Sequence, residues 1–437
     1  MDNTARNQVV TWMRAHIPAR VYMLLILMAT GVVTGVGAYV LKWLVRTVNH
    51  LLTRHVMTVL PDWMIIIVPV AGMIITVAYM RYVIHQDISH GADKVRARLL
   101  GGQYDLRTSL MVSPILASSV TLGFGGSAGG EGPIATAGAA IGSNFGRRAG
   151  LTPQQLMVVI CCGAGAGIAA IFKSPVGGMF YTIEVLALPL TTANFVALAI
   201  TCVTSGLTAY ALSGFTFDLA FSGTIAPAYY GYVVLIGLFC GLYSIYYSHI
   251  ISVTGRWYDS IRSRWKRALV AGLVTGMLLL IFPALYGEGY EVMRAIIESE
   301  PSRLLNGSML FSATASPAIL LYVAAGVMLV KAIGTSSATC GGVAGDFSPA
   351  LFAGCMAGYV FAAGMNLAFG LTLPVGALVI TAMAASMSGI IKAPLMAIFI
   401  TTEMTGNFSM FLSIVIASAI SYAVVAVASV ALRKAYH

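Results

Sequence analysis

Long apolar runs that are almost free of charge recur along the whole chain, and a helix that crosses a membrane is built from such a run. Clear examples cover residues 21–43, 193–213 and 309–334. The 437 residues are 58% hydrophobic and only 9% charged, whereas soluble domains carry about a quarter charged residues. Because the runs are continuous, they also exclude a membrane β-barrel, whose segments alternate. The sequence predicts an all-α polytopic membrane protein.

The net charge of +10 arises from 25 Lys and Arg against 15 Asp and Glu. Membrane proteins concentrate Lys and Arg in cytoplasmic loops, so the excess supports an anionic substrate only weakly. The basic stretches Arg81 to Arg107 and Arg256 to Arg267 are expected to be such loops and not nucleic-acid arms. Residues 1–20 are expected to form a cytoplasmic N-terminal segment. The six cysteines lie in apolar stretches without metal-ligand spacing, and neither a metal nor an organic cofactor is expected.

Several apolar segments are too short to cross a bilayer, among them residues 133–146 and 393–402. Glycine, proline and single charges separate these pieces, which predicts half-helices that meet inside the protein. Non-helical backbone is tolerated at membrane depth only where it lines a cavity or is buried in protein. The functional site is therefore expected at the breaks.

An internal repeat organises the chain. Residues 173–175 (KSP) are followed by Glu184, and residues 392–394 (KAP) are followed by Glu403 at the same interval. The offset is 219 residues (392 − 173), which is half the chain. The repeat predicts two transmembrane halves of inverted topology, residues 21–220 and 221–437, as in many transporters.

Two further matches support the repeat. The motif Gly-x-x-x-Pro occurs at Gly129 to Pro133 and again at Gly345 to Pro349, at an offset of 216 residues (345 − 129). A weaker match relates residues 91–97 (GADKVRA) to residues 289–295 (GYEVMRA). Glycines permit an unwound turn and proline suits a helix start, where unpaired amides attract anions. The backbone of the expected pore is assigned to Gly91, Gly129, Gly130, Gly132, Pro133, Gly345 and Pro349.

These motifs resemble those of the CLC chloride channels and transporters. Residues 125–142 resemble the GREGP segment of that family, residues 345–349 (GDFSP) resemble its GIFAP segment, and residues 392–405 are similar to its late RAPLTG…LEMT run. The resemblance implies chloride or other small anions as substrate, a homodimer, and a multi-pass protein of the bacterial inner membrane. One departure is Gly130, where the family motif usually carries arginine.

Glu131 is a single acid inside a glycine-proline break of an otherwise uncharged stretch. A carboxylate is costly in the membrane and is a functional candidate by default. An ionised carboxylate is itself an anion, able to occupy the site of chloride, and protonation would release it. We therefore expect Glu131 to be the gate, and the resemblance implies the same role.

The resemblance also implies an anion site. His90 falls where the family carries a serine, with Ser89 one residue earlier, so either side chain is a candidate. Asp346 and Phe347 correspond to positions whose backbone amides face the ion. Tyr436 is the candidate for a tyrosine hydroxyl, although a chance terminal tyrosine is the alternative.

Val185 decides between two transport modes. Family members that exchange protons for chloride usually carry an acid at this position, so Val185 favours a gated passive chloride channel, with a proton-coupled antiporter as the alternative. A remote alternative from another class is an intramembrane serine hydrolase. Residues 125–129 (GGSAG) fit a nucleophile motif around Ser127, with His85 or His90 as base. Otherwise no enzymatic activity is expected.

Overall fold

The structure is a computed structural model that describes residues 16–53, 62–88, 91–308, 310–311 and 316–435. Within these ranges the backbone forms helices and short helical turns, with no β-strand. Eight of the described helices are long and apolar enough to cross a membrane. The expected all-α polytopic class is confirmed.

The helices of the first part of the chain contain both long and short members. They are α1 (Ala19–Leu51), α2 (Ile67–Tyr79), α3 (Gly91–Leu100), α4 (Ser113–Gly123), α5 (Glu131–Arg148), α6 (Pro153–Ile171), α7 (Pro175–Glu184) and α8 (Thr192–Ser213). Helix α7 has 10 residues and begins at a proline, as the break between apolar segments predicts.

The helices of the second part follow the same pattern. They are α9 (Tyr230–Ser260), α10 (Arg264–Ile281), α11 (Tyr290–Ile297), α12 (Pro317–Gly341), α13 (Phe347–Phe369), α14 (Val375–Ile391), α15 (Pro394–Thr405) and α16 (Phe411–Ala435). Helix α15 has 12 residues and also begins at a proline.

The two basic stretches are more helical than the sequence suggested. Helix α3 lies inside the first stretch, and in the second only residues 261–263 separate α9 from α10. Lysine and arginine are good helix formers, so helices continue beyond their apolar cores into polar sequence. Charge density alone therefore does not locate the ends of these helices.

The KSP and KAP motifs adopt the same local backbone. Lys173 and Lys392 are both left-handed, with φ of 52° and 63°. The next residues, Ser174 and Ala393, have φ and ψ of −128° and 83°, and of −131° and 79°. Helices α7 and α15 then begin at Pro175 and Pro394. The sequence repeat is thus also a repeat of local structure.

One compact unit contains α1 up to Leu41, α3, α5 from Pro133 onward, and α6 to α8. Small residues let its helices approach closely. A Cβ atom placed on Gly178 of α7 would lie 2.5 Å from the carbonyl oxygen of Gly165 on α6. Just before α7, the buried Lys173 donates from its ammonium to the Thr216 carbonyl at 2.8 Å.

The other unit contains the rest of α1, α2, most of α4, the first two residues of α5, and the described residues from Phe217 onward. Close helix contacts stabilise this unit too. A Cβ atom on Gly354 of α13 would lie 2.7 Å from the carbonyl oxygen of Ala382 on α14. The candidate site described next lies entirely within this unit.

Candidate anion-binding site

Two glycines that are counterparts in the repeat bond to each other. The Gly129 amide donates to the Gly345 carbonyl at 3.0 Å, and the Gly345 amide donates to the Gly129 carbonyl at 2.6 Å. The pairing is antiparallel and isolated from any strand. A Cβ atom on Gly345 would lie 2.7 Å from the Gly132 nitrogen, so only glycine permits this approach. Because each glycine precedes a helix by two residues, the bridge places the starts of α5 and α13 side by side.

Glu131 is the first residue of α5, and its side chain is fully buried. Its Oε1 atom accepts a hydrogen bond from the Ser348 backbone amide at 2.7 Å and a second, short one from the Ser348 hydroxyl. Oε2 has no hydrogen-bond partner among the described residues. The first amides of a helix lack partners within the helix and carry partial positive charge. The Glu131 carboxylate therefore lies at the start of α13, beside amide groups of the kind that attract anions.

A chain of hydroxyls extends from this carboxylate. The Tyr290 and Ser348 hydroxyl oxygens are 3.0 Å apart. Since Ser348 donates to Glu131, its hydroxyl accepts from Tyr290. The Lys42 ammonium lies 5.5 Å from the centre of the Tyr290 ring and is paired with Asp218 at 2.7 Å. An anion held at Ser348 would thus have polar groups on α1, α11 and α13 nearby.

Lys331 on α12 is a site residue that sequence reasoning missed. It is fully buried, and its ammonium donates to the Ser127 hydroxyl at 2.9 Å. It also lies 4.7 Å from the centre of the Phe352 ring. Its electrostatic neighbours are Glu131 and Glu288. Lys331 thus brings a basic amine to a region in which Gly130 supplies no side chain, and its position inside the apolar run 309–334 was the available signal.

Glu288 is the second missed residue. It precedes α11, and its Oε1 atom accepts a hydrogen bond from the Gly130 amide at 3.1 Å. Burial raises the pKa of the Glu288 carboxyl above its usual range, and the charge of Lys42 opposes that rise. The signal in the sequence was its place directly before the weaker repeat match at residues 289–295.

The remaining predicted site residues fall into three groups. Phe347 is buried and opens α13, whereas the side chain of Asp346 before it is exposed. The pore-motif glycines and prolines lie in or directly before the first turns of α3, α5 and α13. The candidates Ser89, His90 and Tyr436 lie outside the described residues.

Two further expectations concern single residues. Val185 caps the C-terminal end of α7 and is partly buried. Among the described residues, the hydrogen bond to the Ser127 hydroxyl comes from Lys331. The histidine base of the remote hydrolase alternative therefore has no counterpart in the described contacts of Ser127.

Comparison with known families identifies the architecture. Residues 71–426 match the family described as voltage gated chloride channel, which is well over half of the chain. The chain belongs to this CLC family. The family confirms the resemblance seen in the sequence, and CLC proteins are transporters.

Curated relatives in the CLC family are bacterial. The chain is 27% identical over 340 residues to the voltage-gated ClC-type chloride channel ClcB of Shigella flexneri, covering 75% of each chain. It is 28% identical over the same length to ClcB of Escherichia coli O139:H28 (strain E24377A / ETEC), again over 75% of each chain. Together with the eight apolar helices, these relatives establish a multi-pass protein of the bacterial inner membrane.

Solved CLC structures share the fold. A slow cyanobacterial Cl⁻/H⁺ antiporter matches with a TM-score of 0.77 and 20% identity over 92% of this chain and 94% of its own. A CLC-type fluoride/proton antiporter matches with a TM-score of 0.73 and 20% identity over 92% of this chain and 93% of its own. The CLC-like fold is confirmed.

Proposed function

We propose that this chain moves chloride across the membrane in exchange for protons, with Glu131 as the gate. The observation that carries the proposal is the hydrogen bond from the Ser348 amide to the Glu131 carboxylate at the start of α13. In this position the side chain is an anion bound to the protein's own helix start.

The gate follows from competition for the same donors. An ionised Glu131 holds the Ser348 amide and hydroxyl, so chloride cannot use them. Protonation removes the charge that keeps the carboxylate there. The two donors then become available to chloride, and the buried amine of Lys331 interacts electrostatically with this site. When ionised, this one side chain excludes anions, and when protonated it admits them, which couples proton binding to chloride binding.

Proton exchange is favoured over passive conduction by the proteins that share the fold. Two solved structures similar to this chain are those of proton antiporters, one for chloride and one for fluoride. They support the antiporter alternative better than the passive channel that the sequence favoured. Passive conduction is the second candidate, because Val185 supplies no titratable group.

The decisive experiment records chloride and proton fluxes together from purified protein in lipid vesicles. A chloride gradient imposed across the vesicle should drive protons uphill if the transport is exchange. Chloride flux without any uphill proton movement would leave gating by Glu131 intact and replace exchange with passive conduction. Absence of chloride flux at every pH would refute the proposal as a whole.

A variant tests the gate itself. Glu131→Ala should raise chloride flux at alkaline pH towards its acid value and abolish uphill proton movement, because no carboxylate competes for Ser348. The matched control is Glu291→Gln, which changes an exposed acid on α11. A Glu131→Ala protein that kept the wild-type pH profile would show that the gate lies elsewhere.

Several other expected properties of the protein are not tested by these experiments. The homodimer, the absence of an organic cofactor and the division into halves near residue 220 stay predictions. The same holds for anion contacts from His90 or Ser89 and from Tyr436.

A further inference from the structure

Glu288 occupies a constrained turn. Its neighbours Gly287 and Gly289 are both left-handed, with φ of 62° and 80°. Glycine adopts this conformation at little cost, whereas other residues are strained there. A Cβ atom on Gly289 would also collide with the ring of Phe352 on α13. The turn that carries the Glu288 side chain therefore requires glycine on both sides.

Two tyrosines tie the same turn to the Glu131 region. The Tyr286 hydroxyl donates to the Gly123 carbonyl at 2.7 Å, at the end of α4. On the other side, the Tyr290 hydroxyl bonds with Ser348, which holds Glu131. Glu288 lies between these two anchors, and its carboxylate reaches the Gly130 amide.

The repeat gives Glu288 a counterpart. The match of residues 91–97 with 289–295 has an offset of 198 residues (289 − 91), which pairs position 288 with His90. Glu288 lies two residues before α11, which begins at Tyr290, and His90 lies outside the described residues. The sequence had assigned an anion contact to His90 in the first half. In the second half the corresponding position carries a carboxylate.

We propose that Glu288 is a second acidic gating residue, whose carboxylate occupies the Gly130 amide as that of Glu131 occupies the Ser348 amide. This inference rests on the proposed function of the Glu131 site. Each carboxylate stands in for an anion at one of two adjacent helix starts, α5 and α13. Both must release their amides before chloride can pass both positions.

The surroundings of Glu288 determine how it titrates. The charged and titratable groups that interact with it lie on four helices and one loop: Lys42 and Arg46 on α1, Glu131 on α5, Tyr290 on α11, Lys331 on α12, and Asp218 in the loop before α9. The bases favour its ionised form, whereas Asp218 and Glu131 oppose it. Glu131 directly follows Gly130, whose amide donates to Glu288. The two carboxylates therefore interact, and ionisation of either glutamate disfavours ionisation of the other.

The experiment isolates Glu288 by making the first gate neutral. Glu131→Gln is placed in vesicles alone, with Glu288→Gln, and with the exposed control Glu291→Gln. Chloride efflux is recorded at acid and alkaline pH. Glu131→Gln alone should retain a residual pH dependence, the addition of Glu288→Gln should remove it, and the addition of Glu291→Gln should not.

Glutamine separates the charge of Glu288 from its position. It keeps an oxygen that accepts from Gly130, so a residue that only holds the turn would be replaced without effect on the pH profile. If Glu288→Gln and Glu291→Gln give identical profiles, the inference is overturned. A flat profile of Glu131→Gln alone would overturn it equally.

Two safeguards keep the test decisive. If the double variant does not fold, Glu288→Gln in the wild-type background should shift the midpoint of the pH profile to lower pH. The reason is that Glu131 then ionises without a like charge beside it, and an unshifted midpoint overturns the inference.

If wild-type vesicles carry no chloride flux at all, the proposed function fails first. If wild type and Glu131→Gln behave as proposed while Glu288→Gln matches its control, only the inference about Glu288 fails.

Discussion

Ser348→Ala is the substitution that most directly probes the closed gate. It removes the hydroxyl that donates to Glu131 and leaves the backbone amide at 2.7 Å in place. The ionised carboxylate loses its hydroxyl donor, whereas the protonated form loses little. The pH profile of chloride flux should therefore shift to higher pH, because Glu131 is neutralised more readily.

The size of the shift follows from the type of bond lost. A hydrogen bond to a charged group contributes about 1.5–3 kcal/mol. Since one pH unit corresponds to about 1.4 kcal/mol, the midpoint should rise by about one to two units. Tyr290→Phe removes the neutral bond to the Ser348 hydroxyl, which contributes about 1 kcal/mol, and should shift the midpoint the same way by less than about one unit.

The assay is chloride efflux from vesicles over a series of pH values at fixed chloride. Ser418→Ala is a matched control, because this buried serine on α16 has a hydroxyl without a hydrogen-bond partner among the described residues. Its midpoint should equal that of wild type. An unchanged or lowered midpoint for Ser348→Ala would refute the view that this hydroxyl stabilises the ionised gate.

Two other substitutions test the frame around the gate. Lys331→Met should lower the chloride affinity measured by titration calorimetry, because the buried basic group that interacts with Glu131 is lost. Lys331→Arg should retain the affinity, and equal affinities for the two variants would contradict a role for this basic group. Gly345→Ala places a Cβ atom 2.7 Å from the Gly132 nitrogen and should cost about 1–3 kcal/mol of stability, seen as a lower unfolding temperature in detergent. Gly364→Ala is its control, since the nearest atom to the added Cβ is 3.7 Å away, and equal unfolding temperatures would argue against a tight bridge.

The position of Glu131 illustrates how far the sequence leads. A single acid in an uncharged, glycine-rich break identified the residue, and the matched motifs at offsets of 216 and 219 indicated a second helix start as its counterpart. Helix boundaries were less accurate. The sequence suggested a segment over 175–190, whereas helix α7 ends at Glu184. The boundary was misplaced because apolar residues continue past the end of the helix.

The sequence by itself determined that this is a helical membrane protein with an internal repeat, and it identified Glu131 as the first gating candidate. Each of these conclusions depends on local composition or on spacing along the chain. Only the tertiary structure decided that Ser348 donates to the Glu131 carboxylate, that Glu288 accepts from the Gly130 amide, and that Lys331 interacts electrostatically with both glutamates. The hydrogen-bonded residues are far apart in the chain: Gly130 and Glu288 by 158 residues, and Glu131 and Ser348 by 217 residues. Which helix faces meet across such separations depends on close packing between small residues throughout the fold, and no local pattern encodes that choice.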